Sequence, residues 1–144
     1  MMKYFIGNWK MFGVPRSIKI LNRINSFRST DSNRNKYRIV ITPPYTLLET
    51  FAKKFRDKKI IIGSQNCYQK EKFSSNTAAI SPYMIRAIGA KYTLVGHSDN
   101  RAEGDTNTIL KDKVKFALKN NLKVVFCIGE NKLEKKNNKT FSVL

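Results

Sequence analysis

The sequence predicts an α/β fold built on a parallel sheet. Short apolar segments of strand length alternate along the chain with longer segments whose apolar residues recur at helical spacing. The third strand segment is apolar throughout, as is typical of strands that are buried on both faces of a parallel sheet. Because strands separated by helices form βαβ units with right-handed crossovers, we expect about four βα units followed by a fifth strand.

Five segments have the composition of strands. The first ends at a glycine, the second is stopped by two prolines, and the third is a run of isoleucines bounded by lysine and glycine. Each of the last two follows a predicted helix and its polar connection. The five predicted strands are Tyr4–Ile6, Arg38–Ile41, Lys59–Gly63, Tyr92–Val95 and Lys123–Ile128.

Four helices are predicted between these strands. Ser81 is a suitable N-cap followed by Pro82 in the first turn, and Gly89 can end that helix. Thr106 can cap the next helix, which ends near Asn120. The apolar stripes are Ile18, Leu21, Ile24 and Phe27, then Leu48, Phe51 and Phe55, and finally Leu110, Val114 and Ala117.

The connections between these elements are polar. We predict a loop over residues 29–36 and a polar segment over residues 131–139, and residues 140–144 have the pattern of a first helical turn. No internal repeat or linker divides the sequence. A chain of this length is therefore expected to form a single domain over residues 1–144.

The composition excludes several classes of protein. No apolar run approaches the ~20 residues of a membrane span, and the apolar N-terminal segment is too short for a secretory signal. Cys67 and Cys127 are spaced for neither a disulfide framework nor a zinc site, so we expect no metal and a reducing, cytoplasmic location.

The net charge of +18 raises the question of a nucleic-acid partner. The basic residues are scattered along the chain, with no aromatic-interleaved signature of RNA binding. We therefore favour a solvated, lysine-rich surface over a nucleic-acid interface. Such a surface would still attract a small phosphorylated anion.

Periodicity alone leaves two architectures open. The sheet could be an open doubly wound sheet or part of a closed barrel. No glycine-rich phosphate loop follows the first strand, which disfavours a nucleotide-binding sheet without excluding a flavodoxin-like one.

Polar residues that could carry chemistry follow the first and fourth strands. Asn8 and Lys10 are two residues apart, so both side chains point to the same side at the end of the first strand, where a lysine can meet an anionic substrate. His97 follows Gly96 at the end of the fourth strand, and active groups of parallel folds gather at these strand ends. We expect a buried, neutral imidazole that donates a hydrogen bond, although a lone histidine is more often structural.

Carboxylates also follow the fourth and fifth strands. Ser98 and Asp99 come directly after the histidine, and Glu130 closes the segment that begins at Cys127. Glu130 could serve as a general base. We favour a buried structural acid that pairs with a basic group inside the fold, because ion-pair networks readily resemble active sites.

Five segments, taken in order and with their gaps, resemble the signatures of the triosephosphate isomerase family. The resemblance covers nearly the whole chain. It implies part of a TIM (β/α)8 barrel, with about four βα units plus a fifth strand, and an active site at the carboxyl ends of the strands. The segments are Gly7–Met11 (GNWKM), Gly63–Tyr68 (GSQNCY), Ile80–Met84 (ISPYM), Gly89–Ser98 (GAKYTLVGHS) and Cys127–Glu130 (CIGE), continued by Lys139 and Thr140.

The resemblance also implies an activity. Family members interconvert glyceraldehyde 3-phosphate and dihydroxyacetone phosphate in glycolysis and gluconeogenesis, through an enediolate and without a cofactor. A glutamate base and a neutral histidine electrophile carry the reaction, for which this family is a standard example. By position, Asn8 and Lys10 would bind the phosphorylated triose and Lys10 would also take part in catalysis. His97 would be the electrophile, and the supporting residues would be Ser98, Asp99, Cys127 and Glu130.

The sequence departs from the family pattern at several positions. Asp99 and Asn100 stand where the family has Glu-Arg, and Phe12 replaces an asparagine. Residues 77–79 (TAA) replace the Thr-Gly-Glu of the loop that forms the family's homodimer, so the glycine turn and the acid of that contact are changed.

The chain as given stops before the family's glutamate base, lid and phosphate loops. We therefore expect negligible isomerase activity from the isolated polypeptide. One alternative is a non-catalytic basic half-barrel that binds phosphorylated ligands or nucleic acid. Another is a half-barrel that needs the remaining strands supplied by a second polypeptide.

Overall fold

The strands of the computed structural model, which describes residues 1–56 and 58–143, form one parallel sheet. Its strand order β1-β2-β3-β4-β5 follows the chain. An open doubly wound sheet reverses its order at a switch point, whereas a barrel wall does not, so the order resolves the choice in favour of the barrel. The strands are β1 (Lys3–Asn8), β2 (Tyr37–Thr42), β3 (Ile60–Ser64), β4 (Tyr92–Val95) and β5 (Lys123–Phe126).

Seven α-helices occur in the described part of the chain, and a short 3-10 turn (Pro15–Ser17) precedes the first. Both predicted N-caps are confirmed: the hydroxyl of Ser81 accepts from the backbone N–H of Met84, and that of Thr106 accepts from Ile109. Among the described helices, none has the length and apolarity to cross a membrane. The helices are α1 (Ile18–Thr30), α2 (Tyr45–Lys54), α3 (Pro82–Ala87), α4 (Ser98–Ala102), α5 (Asn107–Lys119), α6 (Lys132–Lys136) and α7 (Thr140–Val143).

Several boundaries differ from the predictions. The helix α1 continues to Thr30 into the predicted loop, β1 continues through Gly7, and β5 ends at Phe126. The short helix α6 was not predicted, because one turn of helix gives no apolar stripe. The predicted turn over residues 140–144 is a helix over 140–143, and Leu144 lies outside the described residues.

The main core lies between the sheet and the helices that cover it. Paired strand residues face the same side, so the register places Ile41, Ile62 and Val95 on the helix-covered face, where each is buried. Helix residues complete this core, with Leu21, Leu48, Phe51, Ile85, Leu110 and Ala117 almost fully buried.

The opposite face of the sheet carries the predicted site at its carboxyl end. On that face Val40 and Leu94 are also buried. Burial on both faces, which was expected for the third strand, holds for β3, where Ile60 and Ile62 are buried and Ile61 is partly buried. The strand β1 differs, with Tyr4 49% and Phe5 58% exposed. The physical reason is that β1 pairs with one neighbour, β2, in the described sheet, so its outer side has no packing partner.

Candidate active site

A cleft of about 430 Å³ lies at the carboxyl ends of β1, β3 and β4. It brings together four of the residues predicted from the sequence: Asn8, Lys10, His97 and Asp99. They come from segments that are far apart in the sequence and meet because parallel strands present their carboxyl ends at the same edge. The other lining residues are Met11, Phe12, Tyr45, Gln65, Asn66 and Asn100.

Lys10 has a backbone conformation that is unusual for a lysine. Its φ of 51° lies in the left-handed region. Its backbone N–H donates to Oδ1 of Asn8 at 2.9 Å, and its carbonyl accepts from Nε2 of Gln65 at 2.7 Å. The half-exposed ammonium lies 3.3 Å from Oδ2 of Asp99. The side chain therefore leaves β1 in a defined direction and presents its charge to the cleft.

The imidazole of His97 is held by the start of α4, for which this residue is the N-cap. The backbone N–H of Asp99 donates to Nδ1 of His97 at 3.2 Å. A ring nitrogen that accepts a hydrogen bond carries no proton, so this contact favours the neutral tautomer whose proton is on Nε2. The side chain of His97 is 23% exposed, which corrects the expectation of a fully buried imidazole.

The carboxylate of Asp99 lies close to both cationic candidates. Its Oδ2 is 3.3 Å from the Lys10 ammonium and 3.5 Å from Nδ1 of His97. A proton on Nδ1 would be stabilised by this carboxylate. However, Nδ1 accepts a hydrogen bond from a backbone N–H, and a nitrogen that accepts a hydrogen bond carries no proton. The Lys10 ammonium is the nearer of the two groups, and we therefore regard Asp99 chiefly as the partner of Lys10.

Arg101 links the carboxyl ends of β4 and β5 to each other. Its Nε donates to the carbonyl of Gly96 at 2.7 Å, and a terminal nitrogen donates to the carbonyl of Cys127 at 3.1 Å. Gly96 has a φ of 76°, and a Cβ there would lie 2.9 Å from the guanidinium, so the close approach requires glycine. The residue just before the histidine is thereby fixed.

The residues predicted to support the site have different positions. Ser98 is exposed at the first position of α4, and Cys127 contributes through its carbonyl, while burial raises the pKa of its thiol. Glu130 is partly buried, and its carboxylate accepts from the hydroxyl of Thr140 at 3.5 Å. No ion pair to Glu130 is present in the described part of the chain, so the predicted pairing with a basic group is not seen among these residues. The reason is that Glu130 lies beyond the end of β5, outside the core.

A buried polar cluster supports the loop after β3. The ammonium of Lys113 contacts both carboxylate oxygens of Asp105 at 2.7 Å and donates to Oδ1 of Asn66 at 3.0 Å. The side chains of Lys113 and Asp105 are only 5% and 12% exposed. Next to this cluster, burial raises the pKa of the Cys67 thiol to about 11.

Gln65 and Arg101 are absent from the predicted site residues. Both act by donating to backbone carbonyls, and a side chain of that kind gives no charge pattern or spacing in the sequence. Within residues 1–56 and 58–143, no cluster of three or more histidine, cysteine, aspartate or glutamate side chains could hold a metal ion.

A larger cavity, of about 670 Å³, lies at the opposite end of the sheet, beside the first residues of β1 and β2. Its lining includes Phe5, Phe27 and Ile39 and is mainly apolar. Polar side chains, among them Lys3, Lys36 and Asp31, also line it. Because active groups of parallel folds gather at the carboxyl ends of the strands, and this cavity lies at the amino ends, we assign the chemistry to the smaller cleft.

Comparison with known proteins agrees with this geometry. The family model described as triosephosphate isomerase matches residues 3–144. The triosephosphate isomerase of Leptospira biflexa is 36% identical over 143 residues, which are 99% of this chain and 56% of that protein. That of Wolbachia pipientis is 34% identical over 140 residues, which are 96% of this chain and 54% of that protein.

The structural comparison extends this agreement to the fold. The crystal structure of triosephosphate isomerase from Bartonella henselae superposes with a TM-score of 0.90 at 31% identity, over 99% of this chain and 58% of that one. The five parallel strands are thus a curled half-barrel, and the chain spans about half the length of the curated relatives that it matches. The chain belongs to the triosephosphate isomerase family.

Proposed function

We propose that residues 1–144 form a single domain, the N-terminal part of an enzyme that interconverts glyceraldehyde 3-phosphate and dihydroxyacetone phosphate. One observation carries the proposal: Lys10 and His97, whose Nδ1 accepts a backbone hydrogen bond, line the same cleft at the carboxyl end of the sheet. A cation and a neutral hydrogen-bond donor in one cleft suit a substrate that is an anion and passes through an enediolate.

Each residue of the cleft has a role in this proposal. The Lys10 ammonium attracts the phosphorylated triose and offsets the negative charge that develops on its oxygens. The Nε2–H of His97 donates a hydrogen bond to the enediolate oxygen, and it does so without first losing a proton. Asn8 holds the backbone of Lys10 and contributes to substrate binding.

The described residues do not supply a general base for the first proton transfer. Asp99 is the one carboxylate among the described residues that line the cleft, and it is paired with Lys10. Absence of a positioned base costs about 10²–10⁴ in rate. We therefore propose that the 144-residue polypeptide binds the triose phosphate and turns it over at a negligible rate.

The setting of this activity follows from the family. We propose a cytoplasmic protein of glycolysis and gluconeogenesis, and the two free thiols, Cys67 and Cys127, suit a reducing compartment. A homodimer through the loop around residues 77–79 is part of the proposal. Ala78 keeps a left-handed φ of 64° at the position of the family's glycine, which supports conservation of the loop shape.

A second candidate function is favoured by the net charge of +18. On this alternative the half-barrel is a non-catalytic module that binds phosphorylated ligands or nucleic acid. Saturable binding of a DNA or RNA duplex, weakening steeply with salt, would support it. Binding of dihydroxyacetone phosphate that requires His97 would not be explained by surface charge.

The test is a titration of the 144-residue protein with dihydroxyacetone phosphate, followed by NMR. We expect saturable shifts at the amides of Lys10 and His97, and loss of binding in Lys10→Met. The matched control is Lys91→Met, which removes an exposed lysine outside the cleft. Equal weakening by the two variants would show that general surface charge, and not the cleft, binds the ligand.

A further inference from the structure

We propose that Gln65 is a positioning residue that holds the backbone of Lys10 in its left-handed conformation and so directs the lysine ammonium into the cleft. The consequence for substrate binding rests on the function proposed above. The effect on the conformation of Lys10 does not, and it can be measured separately.

The first step of the argument is the strain at Lys10. Its φ of 51° is a conformation that glycine adopts freely and that is unfavourable for an L-residue. A lysine stays there only when its surroundings hold it. In the ordinary extended or right-handed conformation, the side chain would leave the end of β1 in another direction.

The second step is the pair of contacts made by the Gln65 amide. Its Nε2 donates to the carbonyl of Lys10 at 2.7 Å and to the carbonyl of Thr42 at 3.0 Å. Because both partners are carbonyl oxygens, the nitrogen of the amide must face them, and its two hydrogens are both used. The Thr42 carbonyl also accepts from the backbone N–H of Trp9 at 3.1 Å. One side chain therefore links the strained residue to the end of β2.

The third step is the rigidity of the residue next to Gln65. Oδ1 of Asn66 accepts from its neighbour's backbone N–H at 2.9 Å and from the buried ammonium of Lys113 at 3.0 Å. The Asn66 carbonyl accepts from the hydroxyl of Tyr45. The backbone that carries Gln65 is thus fixed to α2 and α5. Because the Gln65 amide is itself held in place, it can restrain the backbone of Lys10.

The test compares three variants by NMR. Gln65→Met removes both donated hydrogen bonds at similar volume. Gln65→Glu keeps the shape but donates only when its carboxyl is protonated. The control is Gln69→Met, at the other glutamine of the chain, whose side chain makes no hydrogen bond to the described residues. The readouts are the short amide-to-Hα distance at Lys10, which reports a positive φ, and the affinity for inorganic phosphate.

We expect Gln65→Met to lose the positive-φ signature at Lys10 and to bind phosphate about three- to tenfold more weakly, while Gln69→Met matches the parent protein. In Gln65→Glu the signature should be absent at neutral pH and return as acid protonates the carboxyl, within one folded protein. If Gln65→Met does not fold, the comparison of Gln65→Glu at neutral and at acid pH tests whether Gln65 positions Lys10.

Retention of the positive-φ signature by Gln65→Met, or by Gln65→Glu at neutral pH, would overturn the proposal. If the parent protein does not bind phosphate, the proposed function fails, and the signature at Lys10 still decides the role of Gln65. Loss of phosphate binding with an unchanged Lys10 conformation would also count against positioning, because the effect would then arise elsewhere.

Discussion

The ammonium nitrogen of Lys10 lies 3.3 Å from Oδ2 of Asp99, so the cation at the end of β1 and an anion in the first turn of α4 meet at the cleft. Both side chains are more than half exposed, and a pair of this kind contributes only about 0–1 kcal/mol to stability. Its importance lies in the electrostatics of the cleft, because an incoming phosphate meets the carboxylate as well as the ammonium.

Asp99→Asn should strengthen phosphate binding. Removal of the carboxylate leaves the ammonium uncompensated, and we expect about a two- to fivefold lower Kd for inorganic phosphate at fixed ionic strength. Asp112→Asn, which changes the net charge equally but lies on α5, is the control. Weaker binding by Asp99→Asn would instead show that the carboxylate orients Lys10.

Lys113→Met should destabilise the fold strongly. The carboxylate of Asp105 would stay almost buried without its partner, and loss of one member of a buried pair costs about 3–5 kcal/mol. Urea unfolding measures the change. Lys119→Met is the control, because its ammonium lies at the same 2.7 Å from Glu71 but is 62% exposed, and we expect a change within about 1 kcal/mol. Similar effects of the two variants would contradict the role of burial.

The hydrogen bond between Tyr37 and Asp31 should give a pH-dependent stability. The Tyr37 hydroxyl donates to Oδ2 of Asp31 at 2.7 Å and, with the backbone N–H of Asn33, holds the pKa of that carboxyl below its ordinary value. A lowered folded pKa stabilises the protein above the unfolded pKa, and this stabilisation is lost as the pH falls through the folded value. The same bond raises the pKa of Tyr37 above its ordinary value, so its contribution is lost again as the pH rises through the raised pKa.

Tyr37→Phe removes both effects. We expect the difference in urea midpoint between parent and variant to be largest at pH values between the pKa of Asp31 and the pKa of Tyr37. The difference should shrink in acid and in alkali. Tyr83→Phe is the control, since the hydroxyl of Tyr83 makes no hydrogen bond among the described residues. A difference that is constant across the whole pH range would mean that Tyr37 acts through packing alone.

Ala78→Gly should stabilise the protein. The φ of 64° at Ala78 costs an L-residue about 1–2 kcal/mol, and glycine relieves this strain while it adds about 0.5–1 kcal/mol of unfolded-state entropy. We expect a net gain of about 0.5 kcal/mol in the free energy of unfolding. Ala79→Gly, in which the residue has no positive φ, should be destabilising. A loss of stability in both variants would show that the strain at Ala78 is balanced by other contacts.

The order and type of the main elements follow from the amino-acid sequence. Apolar runs and helical stripes depend on short-range periodicity, and the N-caps at Ser81 and Thr106 depend on one side chain and the next helical turn. Features of both kinds can therefore be predicted from the sequence. The segments around Asn8, Lys10 and His97 were also sufficient to indicate the family. Short helices and strand ends were less predictable, since a single turn of helix shows no periodicity.

The contacts between these elements depend on how distant segments pack. The strand order indicates a barrel wall and not an open doubly wound sheet. The exposed side chains of β1 show that not every apolar strand is buried on both faces. The left-handed backbone of Lys10 and the amide of Gln65 that holds it are distant in sequence and meet only when β1 and β3 lie in one sheet. Because Glu130 follows a strand, it was predicted to be a buried acid. It lies instead beyond the core. A side chain's partners depend on the packing of distant segments, which local sequence does not encode.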